Sequence, residues 1–304
     1  MTDLILACDF GGTKLSAAVV ETAVLTQQNP QWHNHQRRFS QPGATAQTDI
    51  ATMIEIGRDL LAGERPSAVG ISFGGPVDYT TGVVRLSHHV PGWEKLPLQD
   101  QFEEAFQAPA RVDNDANVAA LGEWRFGAGH GVDDMLYVTV STGVGGGWIL
   151  DGRPYHGASS MAGEIGHTVV DPNGPLCLCG KRGCVERLAS GPYMAQDVAA
   201  ARGLPAAEVT GKLVAEWAEM GEETAVAILE RGAWALGMGI GNAANLLNPA
   251  RILLGGGVTK SGARWWELVR QTARATALPE VQFGVLPAAL GDDAPLWGAV
   301  ALTE

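Results

Sequence analysis

A strand, a glycine turn and a returning strand occur twice in this chain, about 130 residues apart, and this repeat constrains the fold more than any other feature. Leu4 to Cys8 and Leu15 to Val20 are short apolar runs joined by Asp9-Phe10-Gly11-Gly12-Thr13-Lys14. Met135 to Val140 enters the turn Ser141-Thr142-Gly143-Val144-Gly145-Gly146-Gly147 and returns through Trp148 to Leu150. Between them Ile50, Met53, Ile54, Gly57 and Leu61 keep helical spacing, and Ala68 to Phe73 reads as a strand ending in Gly74-Gly75-Pro76. Leu98, Phe102 and Phe106 mark another helix, and Ala110-Arg111-Val112 a short strand leading into Asp113-Asn114-Asp115. A buried helix over 224–247, a strand from Arg251 to Leu254 and Gly255-Gly256-Gly257 close the second half. Strands alternating with helices predict an α/β fold of two similar halves. No Pro- or Ser-rich linker separates them, so the boundary near residue 113 reads as a hinge within one body.

Composition narrows the function. Glycine fills 40 of 304 positions, without the one-in-three period of collagen and without pooling in one tract, so many special backbone positions are expected. The net charge of −12 disfavours broad contact with a nucleic-acid backbone or an anionic membrane, so neither is expected as a partner. Asp3 and Asp9 bracket the first apolar run and no basic start precedes it, unlike a secretory signal. The long uncharged window 232–250 contains Asn242, Asn245, Asn248 and Pro249, which speak against lipid and for a buried helix, with Gly237 and Gly241 one turn apart where something packs closely. A cytoplasmic protein with reduced thiols is expected.

Three strands end in glycine clusters that carry hydroxyl residues: Gly11-Gly12-Thr13, Thr142-Gly143-Val144-Gly145 and Gly255-Gly256-Gly257-Val258-Thr259. With side chains removed, backbone N–H groups can converge on phosphate oxygens. Neither the P-loop spacing nor a strand-to-helix GxGxxG is present. One such cluster alone is a tight β-turn, but two in matching strand contexts predict a nucleotide clamped between the halves.

Cys177-Leu178-Cys179-Gly180-Lys181-Arg182-Gly183-Cys184 holds three of the four cysteines, and His167 precedes it. This spacing suits tetrahedral Zn²⁺, with Gly180 and Gly183 supplying sharp turns and His167, Cys177, Cys179 and Cys184 as ligands of a closed structural site. A disulfide framework would leave one clustered cysteine unpaired and strain the Cys-x-Cys pair. Glu164-Ile165-Gly166-His167 has the ExxH spacing of di-iron bundles, but two glycines in Gly163–His167 oppose the helix such a site needs. Cys8, on the first strand, reads as core. By spacing alone, Asp115 reads equally well as a helix N-cap and as a functional carboxylate.

Asp9-Phe10-Gly11-Gly12-Thr13-Lys14 resembles the first phosphate motif of the ROK (repressor, open reading frame, kinase) family of sugar kinases, within the hexokinase and actin-like superfamily. Ser141 to Gly147 resembles the second phosphate motif, Gly255-Gly256-Gly257 the adenosine-side turn, and the likeness runs from residue 4 to about 300. The resemblance implies two actin-like (ribonuclease H-like) α/β domains with an interdomain cleft. Their expected extents are 1–112, completed by a C-terminal helix at about 290–304, and 113–289 with the zinc loop. It implies that Gly11, Gly12, Thr13, Lys14, Thr142, Gly143, Gly256 and Gly257 meet ATP, and that Asp9 helps to hold Mg²⁺ through water. The run Asn114-Asp115-Ala116-Asn117-Val118 resembles the family's catalytic segment, making Asp115 the general base and Asn114 a sugar ligand. Gly75 backbone, Glu164, His167 and Glu186 complete the sugar pocket so implied. In Ser87-His88-His89-Val90-Pro91-Gly92-Trp93, His89 takes the place of an Asn that meets the sugar in many glucokinases of this type, so the implied hexose specificity is not strict for glucose. The remaining histidines, 33, 35, 88, 130 and 156, read as surface or core.

The expected function is ATP-dependent phosphorylation of a hexose, glucose first, with N-acetylmannosamine, N-acetylglucosamine and fructose kinases on the same frame. A sugar-responsive repressor is the other class, but repressors of the family carry a helix-turn-helix domain before the first phosphate motif, which here starts at Asp9. An actin-like filament or chaperone ATPase would have no use for the cysteine cluster. A homodimer, or a dimer of dimers, is expected from the resemblance.

Overall fold

The apolar run Leu4–Phe10 forms β1 in the middle of a five-stranded sheet, with Leu4 to Cys8 fully buried. β2 (Lys14–Glu21) returns antiparallel to it, and β3 (Asn34–Phe39) pairs antiparallel outside β2. The computed structural model describes residues 3–12, 14–27, 30–87 and 90–304, so Thr13, His88 and His89 lie outside the described residues. Helix α1 (Ala46–Leu61) begins at a capping box in which Thr45 and Thr48 bond each other's backbone N–H, and it ends where Ala62 turns left-handed. β4 (Ala68–Phe73) then runs parallel to β1. Strands β5 (Val77–Asp78), β6 (Val83–Val84) and β7 (Leu96–Pro97) make a small sheet of their own. Helix α2 (Leu98–Phe106) buries the predicted Leu98, Phe102 and Phe106 face, and β8 (Ala110–Asn114) pairs parallel to β4.

After α3 (Asp115–Phe126) the same design repeats. β9 (Met135–Val140), β10 (Val144–Leu150) and β11 (Arg153–Tyr155) form the antiparallel part. Helices α4 (Val185–Ala189), α5 (Gly191–Arg202), α6 (Gly211–Glu219) and α7 (Glu223–Leu247) follow, and then β12 (Arg251–Gly255) pairs parallel to β9. Helix α8 (Ala263–Thr276), β13 (Gly284–Pro287) and α9 (Ala294–Ala301) complete the chain. The strand orders β3-β2-β1-β4-β8 and β11-β10-β9-β12-β13 are the same topology, so the repeat read from two hairpins extends to whole sheets. In α7, Gly237 and Gly241 face α8, where a Cβ would fall 2.8 Å from Val269 O and 2.7 Å from Ala273 O respectively.

Two helices trade places between the sheets. α3 follows the first sheet in sequence yet packs on β9 and β10, whereas α9 follows the second sheet and packs on β1 and β4. They meet each other in the middle. A Cβ on Gly298 of α9 would lie 1.7 Å from Val118 O of α3, so only glycine permits the crossing. Val118 and Leu121 join Ile5, Ala7, Leu296 and Val300 in one core, while Ala119 and Ala120 join Met135, Tyr137 and Ile149 in the next.

One turn is shorter than the sequence predicts. Gly145, Gly146 and Gly147 are residues of β10, not of the preceding turn. Gly146 and Gly147 are small because neighbouring backbone leaves no room: a Cβ would lie 2.7 Å from Gly163 O at Gly146 and 2.4 Å from Ala116 O at Gly147. Among the described residues no helix is long and apolar enough to cross a membrane.

Candidate functional site

One polar row crosses the first sheet near the carboxyl end of β1. Register places Arg37 beside Ser16, Ser16 beside Asp9, Asp9 beside Ser72 and Ser72 beside Asp113, and directly paired residues share a face. Toward the amino end the same face carries Ile5 and Ala7, which pack on α9. The row is therefore where an apolar face turns polar at its open end. Arg37 Nε–H donates to Ser16 Oγ at 3.1 Å, and Ser72 Oγ–H donates to Asp9 Oδ1 at 2.8 Å. Burial pushes the Asp9 carboxyl up from its ordinary 3.8 to about 7, with Asp115 adding to the rise and Ser72 and Arg37 opposing it.

Gly11 N–H bonds Lys14 O at 3.0 Å, which closes the first hairpin turn, and Lys14 opens β2 with its side chain exposed. Gly12 is exposed beside it. Gly74 N–H donates to Phe10 O at 2.9 Å and brings the turn after β4 against this hairpin. Asn114 caps α3: its Oδ1 accepts Ala116 N–H at 3.0 Å, and its Nδ2–H groups donate to Gly75 O at 3.1 Å and Asp115 Oδ1 at 3.0 Å. The capping role therefore belongs to Asn114. That leaves Asp115 as the first helical residue, with Oδ1 also accepting Ala116 N–H at 2.8 Å and Oδ2 3.8 Å from where a Gly74 Cβ would stand. Burial raises the Asp115 carboxyl from 3.8 to about 6, its hydrogen bonds lower it, and the charge of Glu164 raises it again. A carboxyl of that basicity, with Oδ2 outside both of these hydrogen bonds, is suited to accept a proton near neutral pH.

The second hairpin turn closes through Ser141 N–H to Gly143 O at 2.9 Å, with Thr142 between them. Glu186, on α4, reaches it: Oε2 accepts Val144 N–H at 3.0 Å and stands 2.7 Å from a Gly143 Cβ position. In the third turn Gly256 holds φ 86°, and a Cβ there would fall 2.4 Å from Val140 O, so β12 and the second hairpin approach closely only with glycine. Gly257 faces open space.

His167, Cys177, Cys179 and Cys184 place one ligand atom each within 4.8 Å of one another. The loop is built for this. Gly180 and Gly183 both have positive φ, Cys177 N–H donates to Lys181 O at 2.8 Å, and Tyr193 Oη accepts Leu178 N–H at 3.2 Å. His167 Nδ1 is buried without a hydrogen-bond partner, an orphan that a metal would satisfy. The Sγ atoms of Cys179 and Cys184 are 3.5 Å apart, within thiol hydrogen-bond reach and not joined as a disulfide. Three thiols and an imidazole so gathered fit Zn²⁺ in a closed tetrahedral site.

Most predicted residues fall into two neighbouring groups. Asp9, Gly74, Gly75, Asn114, Asp115 and Glu164 gather at the ends of β1, β4 and β8, while Thr142, Gly143, Glu186, Gly256 and Gly257 line the corresponding end of the second sheet. Arg37, Ser16, Ser72 and Asp113 are not legible as site residues in the sequence: Ser16 and Ser72 are lone hydroxyls in apolar strands, and Arg37 lies in the polar strand Asn34–Phe39 with nothing local to mark it. The sequence also leaves His156 to surface or core, yet this residue is bonded to Asp113, next to Asn114.

Two sheets of one topology, with polar ends brought together around α3, define a two-lobed, actin-like α/β protein. The ROK family model matches residues 5–304, and the chain belongs to that family. It is 37% identical to a glucokinase of Halalkalibacterium halodurans over 95% of this chain and 92% of the other. Its structure is similar to the ROK hexokinase from Thermus thermophilus, with TM-score 0.85, 31% identity and coverage of 99% and 97% of the two chains. It is also similar to a ROK family glucokinase from Streptomyces griseus in complex with glucose and AMPPNP, with TM-score 0.82, 32% identity and 99% of each chain covered.

Proposed function

We propose that this protein is an ATP-dependent hexose kinase that converts glucose to glucose 6-phosphate, with Asp115 as general base. The observation that carries the reading is the buried Asp115 carboxyl, raised to about 6 and fixed by Asn114 at the head of α3. Glucokinases among the similar chains and structures support the substrate class. In the proposed reaction the hexose hydroxyl attacks the γ-phosphorus, its proton passes to Asp115, and the bond from phosphorus to the bridging oxygen breaks to release ADP. Asn114, Glu164, His167, Glu186 and the Gly75 backbone orient the sugar, and His89 is assigned to it from sequence. Gly11, Gly12, Thr13, Lys14, Thr142, Gly143, Gly256 and Gly257 take the nucleotide. Mg²⁺, held near Asp9 through water, would neutralise polyphosphate charge. Zn²⁺ held by His167 and the three cysteines would fix the loop that carries Glu164 and His167. The same reading takes residues 1–112 with the C-terminal helix as one lobe and 113–289 as the other, in a cytoplasmic homodimer that binds no nucleic acid.

A coupled ADP-release assay across glucose, mannose, fructose, N-acetylglucosamine and N-acetylmannosamine, with ATP and polyphosphate as donors, tests this directly. Glucose is expected to give the highest kcat/KM with ATP. Turnover confined to an N-acetylhexosamine would move the substrate, and no turnover with any sugar would remove the kinase reading.

A further inference from the structure

The sugar-facing residues come from two stretches of chain far apart in sequence, and a set of contacts with no assigned role joins them. Asn114 and Asp115 follow Asp113 at the end of β8, whereas Glu164 and His167 follow the loop after β11. His156, in that loop, donates Nε2–H to Asp113 Oδ2 at 2.7 Å, with side chains only 14% and 4% exposed. The ring nitrogen carries the proton because a carboxylate can only accept. The other oxygen, Asp113 Oδ1, accepts Asn114 N–H at 2.7 Å and Asn117 Nδ2–H at 3.1 Å. The carboxylate thus grips the residues beside the proposed base with one oxygen and the loop after β11 with the other.

Four more contacts bind the same loop. The His156 ring stacks on Tyr79, centroids 3.7 Å apart and planes 13° apart. Tyr79 N–H donates to Ser160 Oγ at 3.2 Å, and Arg85 donates to Ser159 O at 2.9 Å. Ala162 N–H bonds His156 O at 3.1 Å, so loop 156–162 is closed on itself two residues before Glu164. Tyr79 and Arg85 belong to the small-sheet region of the first lobe. Apart from the bond within the loop, these contacts reach it from β8 of the first sheet and from the small-sheet region beside it, and the loop leads straight into Glu164 and His167.

We propose that His156 is a positioning residue for the hexose: with Asp113 and Tyr79 it latches loop 156–162 across the lobes and fixes the spacing between Asn114–Asp115 and Glu164–His167. The proposal rests on the assignment of those four residues to the sugar. A hexose held by several directional hydrogen bonds from both stretches of chain tolerates little error in that spacing, while ATP phosphates on the hairpin turns do not depend on it.

The test is steady-state kinetics of the full chain, read as separate KM values for glucose and ATP. His156→Ala is expected to raise glucose KM by ~10-fold or more, with ATP KM within about twofold and kcat within about threefold of the parent. His156→Gln keeps a donor nitrogen at similar reach and is expected to recover most of that loss. Tyr79→Ala removes only the surface half of the stack, so it reports on the latch even if His156→Ala fails to fold, and a smaller selective rise in glucose KM is expected. Glucose KM unchanged in both alanine variants, parallel rises for glucose and ATP, or equal defects in His156→Ala and His156→Gln would each overturn the latch. Asp115→Asn run alongside separates the two failures: retained turnover there overturns the sugar-site assignment itself, whereas lost turnover with an unmoved glucose KM in the His156 and Tyr79 variants overturns the latch alone.

Discussion

Asn114 Nδ2–H donates to Asp115 Oδ1 at 3.0 Å, so the residue that caps α3 also fixes the carboxyl at its head. Both hydrogen bonds to Asp115 use Oδ1, which leaves Oδ2 for a substrate hydroxyl.

An Asp115→Asn variant keeps the accepting oxygen and loses the base. Its turnover is expected to fall by ~10²-fold or more with the fold intact, as for a general base removed without loss of shape. Circular dichroism and the ADP-release assay on one preparation check both halves, and near-parental turnover would move the base elsewhere.

The raised Asp115 carboxyl fixes the sign of two pH effects. Turnover is expected to rise with pH through about 6, where Asp115 ionises, and then to level. Stability runs the opposite way. Between its ordinary 3.8 and about 6 the folded chain holds the proton more tightly than the unfolded chain, so this group's contribution is full below 3.8 and is lost as pH rises past 6. Asp115→Asn should therefore be more stable than the parent at pH 8, by about 1–3 kcal/mol, and the gain should vanish near pH 4. Urea unfolding at both pH values measures it, and a pH-independent difference would contradict the burial of the ionised carboxyl.

Zinc content is expected at one per chain in protein prepared without chelator. Removing it leaves three thiols and the orphaned His167 Nδ1 packed together, and Cys184→Ser takes away a fully buried ligand. The variant should lose the metal and show a lower Tm, together with a higher glucose KM, because the loop that carries Glu164 and His167 loses its anchor. Mass-spectrometric metal analysis that finds no zinc in the parent protein would refute the site.

Gly256→Ala is expected to raise ATP KM by ~10-fold or to destabilise the second lobe, since φ 86° and a Cβ 2.4 Å from Val140 O leave an alanine no place. Parental ATP KM and parental Tm together would show that the turn can shift freely.

The hairpins, most helix faces and the His167–Cys184 cluster were legible because each is local: apolar period, turn glycines and cysteine spacing lie within one short stretch of chain, and the repeat follows from comparing two such stretches. What was not legible depends on distant chain. Gly146 and Gly147 read as turn residues, whereas the backbone of Gly163 and Ala116 is what demands them. The cap at α3 fell on Asn114 instead of Asp115, a shift of one residue that releases a carboxylate for chemistry. His156 carries no local signal at all, and only the pairing of β4 with β8 and the path of loop 156–162 bring it to Asp113.

Glu123 is the other residue that sequence could not price, because a glutamate in a helix ordinarily faces water. Here it is fully buried in α3, with Oε2 accepting Ala128 N–H at 2.9 Å and Ala289 N–H at 3.0 Å, and Oε1 accepting Leu290 N–H at 2.7 Å. Residues 288–290 lead from β13 toward α9, so this carboxylate ties together the two helices that cross between the lobes. A carboxylate accepts on both oxygens, whereas the amide in Glu123→Gln must turn an NH₂ toward at least one of these donors. The variant is expected to lose about 1–3 kcal/mol, the cost of a buried donor left without an acceptor. Amide hydrogen exchange locates the effect: Ala128, Ala289 and Leu290 should exchange faster in the variant, while the α7–α8 pair exchanges as before. Unchanged stability and unchanged exchange at residues 289 and 290 would mean that the crossing is held by Gly298 against Val118 and its apolar surroundings alone.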